Sequence, residues 1–206
     1  MNKIIVIGLT GQSGAGKGEV CRILNEHGIK SIDTDAVYHS LLLPPSKCID
    51  ELEAFFGSQI LDESGAVNRK ALASIVFAPG SQNKLEALNK ITHKFILAET
   101  EKMICLFEKE GFRAVAIDAP LLFESGFDKK CDTVVSVIAP YETRLERIIK
   151  RDAIDTERAS ARLRSQNDDS FYISRSDFVI SNNGDRDSLD MQVRSVIQQI
   201  FDTVNK

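Results

Sequence analysis

The chain has no Cys-x-x-Cys pair; its four cysteines, Cys21, Cys48, Cys105 and Cys131, lie far apart. Thiols scattered in this way read as reduced, mostly buried side chains in a reducing compartment, not as a disulfide framework or a zinc site. No apolar run approaches the length of a membrane span, and a strand pattern begins close to the N-terminus, so neither a signal peptide nor a membrane anchor is expected. Excess positive charge is missing too. A net charge of −4 gives no reason to expect nucleic acid or an anionic membrane as a partner. Internal repeats and low-complexity tracts are also lacking. A length of 206 residues suffices for one full core with room for an insertion, but hardly for two large domains. The composition is that of a cytoplasmic globular enzyme.

The most informative stretch that is present runs Lys3-Ile-Ile-Val-Ile-Gly-Leu9, Thr10, and then Gly11, Gln12, Ser13, Gly14, Ala15, Gly16, Lys17 and Gly18. A short run rich in β-branched residues predicts a buried strand, and the glycine-rich turn ending in lysine follows it directly. Residues Glu19 to His27 then predict a helix, stopped by Gly28. Strand, glycine loop and helix in this order make a phosphate cradle. Backbone N–H groups turn inward on a polyphosphate, the helix N-terminus adds its positive dipole, and Lys17 reaches the terminal phosphates. In such a P-loop the next residue is normally Ser or Thr, whose hydroxyl ligates Mg²⁺; here it is Gly18.

Five strands are predicted, at Ile4–Leu9, Ile29–Asp33, Phe112–Asp118, Asp132–Ile138 and Asp177–Ser181, most of them separated by helical patterns. The alternation implies an α/β fold with a parallel sheet covered by helices on both faces, and ligands in such sheets bind beyond the carboxyl ends of the strands. Between Thr34 and Gly111 there are about three helical patterns and no strong strand, more than one crossover needs. Leu85, Leu88, Ile91, Phe95, Met103 and Phe107 trace one long amphipathic helix there, a packing stripe in a helical insertion that can cover a second substrate. From Arg144 to Arg175 the chain carries seven of its twelve arginines. Interleaved acids allow a solvated charged helix, but the concentration of arginine beyond the sheet's open edge favours a mobile phosphate clamp. The stripe Leu189, Val193, Val196, Ile197, Ile200, Phe201 and Val204 predicts a C-terminal packing helix.

Phosphoryl transfer needs positioning and charge neutralisation more than covalent help. Carboxylates that could orient or deprotonate an acceptor hydroxyl are Asp33 and Asp35 after the second strand and Asp118 after the third. Asp118 follows Ala-Val-Ala-Ile, the pattern that sets a metal-linked carboxylate beside a P-loop. A lone Asp closing a strand is more often a turn or cap residue, but two such endings at one rim point to function. His93, within a helix stripe, and Tyr141, after Ala139-Pro140, read on their own as packing residues.

Together these residues resemble the dephospho-coenzyme A kinase family nearly end to end. The shared pieces include Ile7-Gly-Leu-Thr-Gly11, Ile32-Asp-Thr-Asp35, Phe56-Gly57, Asn68-Arg69, Asn89, Ile91 and His93. They continue with Asp118-Ala-Pro-Leu-Leu-Phe-Glu124, Arg147, Arg151-Asp152, Arg162, Gln166 and Asp177-Phe-Val-Ile-Ser-Asn-Asn-Gly184. The resemblance implies a P-loop kinase fold with a nucleotide-binding core at 1–33, 112–143 and 171–206, a helical acceptor domain at 34–111 and an arginine-bearing lid at 144–170. It implies transfer of the ATP γ-phosphoryl group, with Mg²⁺, to the 3′-hydroxyl of dephospho-CoA, the last step of coenzyme A synthesis. Asp33 matches the acceptor-side aspartate and is the expected general base. Lys17 would stabilise the β- and γ-phosphates, and Arg147 and Arg151 would close over them. Asn182, Asn183 and Gly184 would pack on the adenine. Leu121, Leu122 and Phe123 would line the acceptor pocket instead of the core. Asp35, His93, Asp118, Glu124 and Arg162 complete the expected acceptor contacts, with Asp118 also the metal carboxylate.

Two residues depart from the family pattern. Lys94 stands where proline usually follows the histidine, which bears on local acceptor-domain geometry. Gly18 removes a Mg²⁺ ligand, although water can fill the vacated coordination position. Two alternatives stay open: a kinase of another small metabolite or nucleoside on the same fold, and a non-catalytic nucleotide-binding protein.

Overall fold

The computed structural model describes residues 3–204; the side chain of Val204 lies outside that set, as do the extreme ends of the expected spans 1–33 and 171–206. Strand β1 (Ile5–Gly11) is buried along its whole length. It pairs in parallel with β3 (Ala114–Asp118) on one side and β4 (Thr133–Ile138) on the other. With β2 (Lys30–Asp33) and β5 (Phe178–Ser181) the sheet order is β2-β3-β1-β4-β5. A central strand covered on both faces has no polar side to display, which is why it is apolar from Ile5 to Leu9. The strand extends past the expected Leu9 because Thr10 and Gly11 pair with Ser136 and Val137.

Two compact units make up the chain, Met1–Ile32 with Leu106–Lys206, and Asp33–Cys105. In the first, helix α1 (Lys17–Glu26) buries Val20, Ile23 and Leu24 against Ile5, Ile7 and Leu9. Helix α9 (Arg186–Val204) adds Leu189, Val193 and Ile200 to the same core. Arg186 pairs with Glu19 at 3.1 Å and Glu26 at 2.7 Å. These exposed pairs add little beside the buried apolar surface, where each large side chain contributes about 1.5–3 kcal/mol.

The arginine-rich segment folds as α6 (Tyr141–Asp152), α7 (Thr156–Arg164) and the short α8 (Asp169–Ile173). Helices α6 and α7 share a small core of their own, Ile148, Ala159 and Leu163. Tyr141, expected to pack, is instead 39% exposed at the start of α6.

The unit Asp33–Cys105 holds α2 (Thr34–Leu41), α3 (Lys47–Phe56), α4 (Arg69–Val76) and most of α5 (Gln82–Lys109). That is one helix more than the patterns suggested. Two of the four, α2 and α4, have only eight residues each, too short for a clear apolar period. Asp33 and Asn68 start them as N-caps. Leu52, Phe56, Ile60, Leu72 and Val76 form the centre of this unit's core. Helix α5 runs unbroken through Lys94, whose ammonium meets the Glu51 carboxylate at 2.6 Å and lies over the Phe95 ring. The lysine thus adds an ion pair inside the unit.

Of the cysteines, Cys48 is buried, Cys21 and Cys131 are half-buried and Cys105 is exposed, so burial is less general than expected. Burial pushes the Cys48 thiol up to about 11 and the Cys131 thiol up to about 12, which makes both packing groups rather than nucleophiles. Among the described residues no helix is long and apolar enough to cross a membrane.

Candidate active site

The glycine loop leaves β1 at Gly11, whose φ of 139° is reserved for glycine and where any Cβ would run into the Val137 carbonyl oxygen. Gly16 then starts α1 in a left-handed conformation (φ 98°, ψ 28°), with no room for a side chain beside the Asn182 amide. Lys17 Nζ donates to the Gly11 carbonyl at 3.1 Å, folding the lysine back over the loop. The loop's own carbonyls are taken by donors behind it. Asn182 Nδ2 donates to Ala15 O at 2.8 Å, and Arg147 Nη1 donates to Gly14 O and Ala15 O, both at 3.3 Å. Arg147 Nη2 also donates to Asn182 Oδ1 at 3.4 Å. In the first turn of α1 Glu19 N already donates to Gly16 O at 3.0 Å, and with the loop carbonyls engaged elsewhere the helix N-terminus turns its positive potential toward an anion.

This arrangement changes the reading of two residues. Asn182 is buried and clamps the loop, whereas its neighbours Asn183 and Gly184 are exposed. Arg147, expected in a closing lid, already touches the loop through its carbonyls.

Gly18 is exposed, and a Cβ added there would meet nothing within 4 Å. The fold therefore does not require glycine at this position. Asp118 ends β3 and accepts from the Cys21 thiol of α1, Sγ to Oδ2 3.6 Å. After it, Leu122 is fully buried beneath Gly8, where an added Cβ would lie 2.8 Å from its Cδ2. Leu122 consequently belongs to the core and offers no surface to an acceptor, which corrects the expectation for that residue. Leu121 is 58% exposed. Phe123 packs edge-on against Phe171, with the Arg175 guanidinium over both rings. Glu124 Oε1 accepts from Asn167 Nδ2 at 3.2 Å.

The remaining arginines divide by partner. Arg151 makes a two-pronged pair with the adjacent Asp152, Nε to Oδ1 2.7 Å and Nη2 to Oδ2 2.9 Å, and Arg162 of α7 joins the same carboxylate. Hydrogen bonding from Arg151, reinforced by Arg162, holds Asp152 at about 2. Arg144, which sequence reasoning did not single out, is buried with Nε on the Ala139 carbonyl at 3.0 Å. Desolvation lowers its pKa, opposed by Asp169, Tyr172 and Tyr141. Only the local crowding of arginines signalled it, and crowding does not say which one goes inside.

In the unit Asp33–Cys105, Asp33 Oδ1 accepts from the N–H groups of Asp35 at 2.9 Å and Ala36 at 3.0 Å. The two bonds fix the carboxylate at the end of β2 while Oδ2 takes part in neither. Asp35 is exposed in the first turn of α2. His93 is half-buried on α5, and burial lowers its pKa, keeping it neutral near pH 7.

Comparison with known proteins agrees with this geometry. The sequence profile described as dephospho-CoA kinase matches residues 5–188. The dephospho-CoA kinase of Fusobacterium nucleatum is 38% identical over 96% of this chain and 99% of its own length. That of Corynebacterium diphtheriae is 37% identical over 94% and 96%. Among solved structures, a Thermus thermophilus protein superposes with a TM-score of 0.81 at 27% identity, covering 96% of this chain and 98% of that one. The dephospho-CoA kinase of Campylobacter jejuni gives 0.69 at 29% identity, covering 95% and 96%. Shikimate kinase of Acinetobacter baumannii, at 0.56 and 18% identity over 98% and 96%, shares the fold alone. With its P-loop, its five-stranded sheet and a profile match over most of its length, this chain is a phosphotransferase belonging to the dephospho-CoA kinase family.

Proposed function

We propose that this protein transfers the γ-phosphoryl group of MgATP to the 3′-hydroxyl of dephospho-CoA, giving coenzyme A and ADP. The observation that carries the reading is a glycine loop with Lys17 at the N-terminus of α1, in a chain matched to this family over residues 5–188. Loop N–H groups and Lys17 hold the β- and γ-phosphates and gain strength as negative charge shifts toward the leaving oxygen. The Asp33 carboxylate receives the 3′-hydroxyl proton while that oxygen bonds to phosphorus, and the bond from phosphorus to the β,γ-bridging oxygen breaks to release ADP. Arg151 exchanges Asp152 for phosphate oxygens of the donor, and Arg162, on the same carboxylate, turns to the acceptor. When bound, Mg²⁺ neutralises phosphate charge; the Asp118 carboxylate is the hard-oxygen ligand that would hold it. Among the described residues no three His, Cys, Asp or Glu side chains converge as a metal site. Such a donor set suits an ion carried in on the nucleotide with its waters. Singly distributed thiols suit a cytoplasmic setting.

Measuring ADP release against a panel of acceptors tests the proposal. Dephospho-CoA is expected to be turned over faster than adenosine, AMP or shikimate. Equal or better turnover of any of these would replace the acceptor assignment. Nucleotide binding with no acceptor-dependent ADP release would favour the non-catalytic reading that Gly18 motivates.

A further inference from the structure

The short connection between α7 and α8 reaches the glycine loop. Ser13 N donates to Gln166 Oε1 at 3.0 Å, Gln12 Nε2 donates to the Asn167 carbonyl at 3.1 Å, and Asn167 Nδ2 anchors on Glu124. Gln12 is 2% exposed, and its Oε1 is buried without a hydrogen-bond partner among the described residues. The bond to Asn167 is thus what orients its amide. We infer that Gln166 and Asn167 are positioning residues that, through Ser13 N–H and the Gln12 amide, hold the first half of the glycine loop in its phosphate-accepting form.

The physical reason lies in the loop's composition. Gly11 and Gly14 both have positive φ, and a backbone of this kind samples many alternatives unless it is tied down. A loop that is competent only part of the time binds its ligand more weakly by that fraction. Both anchors are uncharged amides, so they fix the backbone without adding repulsion toward phosphate. They also make the α7–α8 connection part of the donor site through uncharged groups alone.

The inference rests on the nucleotide reading above, so the test measures ADP binding by calorimetry before any kinetics. Gln166→Met keeps side-chain length and removes the acceptor of Ser13 N–H; Gln12→Met removes the donor to the Asn167 carbonyl. Each is expected to raise the ADP Kd and the KM for ATP about 3- to 10-fold, the range of a neutral hydrogen bond, with the acceptor KM unchanged. The double variant is expected to show non-additivity, because both bonds restrain one stretch of loop. Failure of the unsubstituted protein to bind ADP overturns the nucleotide reading and the inference with it. If that protein binds and both variants bind equally well, only the inference falls. It also falls if ATP and acceptor KM rise together with a lowered Tm, the pattern of general destabilisation. Should Gln166→Met fail to fold, Gln12→Met alone decides by the same criteria.

Discussion

Asp33 has two duties, capping α2 through Oδ1 and serving as the proposed base, and the choice of substitution can separate them. Asparagine is as good an N-cap as aspartate but cannot take a proton. Asp33→Asn is therefore expected to fold and bind ATP normally while kcat falls roughly 100-fold or more. Turnover within a factor of about 3 of the parent would shift the base to Asp35 or Asp118. Gly18 offers the complementary experiment, a gain. Because a Cβ there meets nothing within 4 Å, the backbone site of Gly18 has room for Gly18→Thr, which adds a hydroxyl. Helix propensity favours it by a few tenths of a kcal/mol at most, so Tm should hold or rise slightly. The Mg²⁺ midpoint for activity is expected to drop several-fold, a ligand worth about 1 kcal/mol. An unchanged midpoint would mean that another group already does that work. Single residues were readable where their chemistry is local, as at Gly16-Lys17. Asn182 shows the opposite case. Its decisive contact, Ala15, lies 167 positions away in sequence, and neither the asparagine nor its neighbours encode that distance. Leu122 was misplaced for a related reason, since an apolar residue just past a strand fits a pocket wall and a core equally well until Gly8 is seen above it.

Among the elements, the pair α6 and α7 is held by its small core and by Asp152, on which Arg151 and Arg162 converge. Asp152 sits near 2 in the folded chain against an ordinary 3.8, so its contribution is complete above the ordinary value and is lost as pH falls through the folded one. Asp152→Asn lacks that contribution at every pH. The Tm gap between parent and variant should accordingly be widest near neutrality and close between about pH 4 and about pH 2. A gap independent of pH would show that the carboxylate's charge does not matter to the pair. The charge-rich pattern revealed helices here, but partner choice was hidden, because Asp152 stands beside several arginines in sequence and only the turn into α7 brings Arg162 back to it. Strand cores were legible from their β-branched runs. Strand ends were not, since Thr10 and Gly11 belong to β1 only through pairing with β4.

For the whole molecule, the five parallel strands and their covering helices followed from the alternation of patterns, whereas the order β2-β3-β1-β4-β5 did not, because pairing between strands far apart in sequence leaves no local mark. The expected insertion ran to the glycine that closes α5, while the compact unit ends at Cys105 within that helix. A helix that continues past a unit limit keeps one apolar stripe throughout and carries no mark of the division. The parallel sheet has a further consequence, which begins at Gly11. A side chain there collides with the backbone of the neighbouring strand, so the damage reaches the sheet itself. In a living cell that distinction becomes one of quantity against quality. Gly11→Val is expected to leave little protein, with the misfolded chain cleared by proteases, whereas Lys17→Met should accumulate normally and be inert. Immunoblots of the two variants beside an activity assay check this. A Gly11→Val protein at full abundance would show that the sheet can yield at its centre.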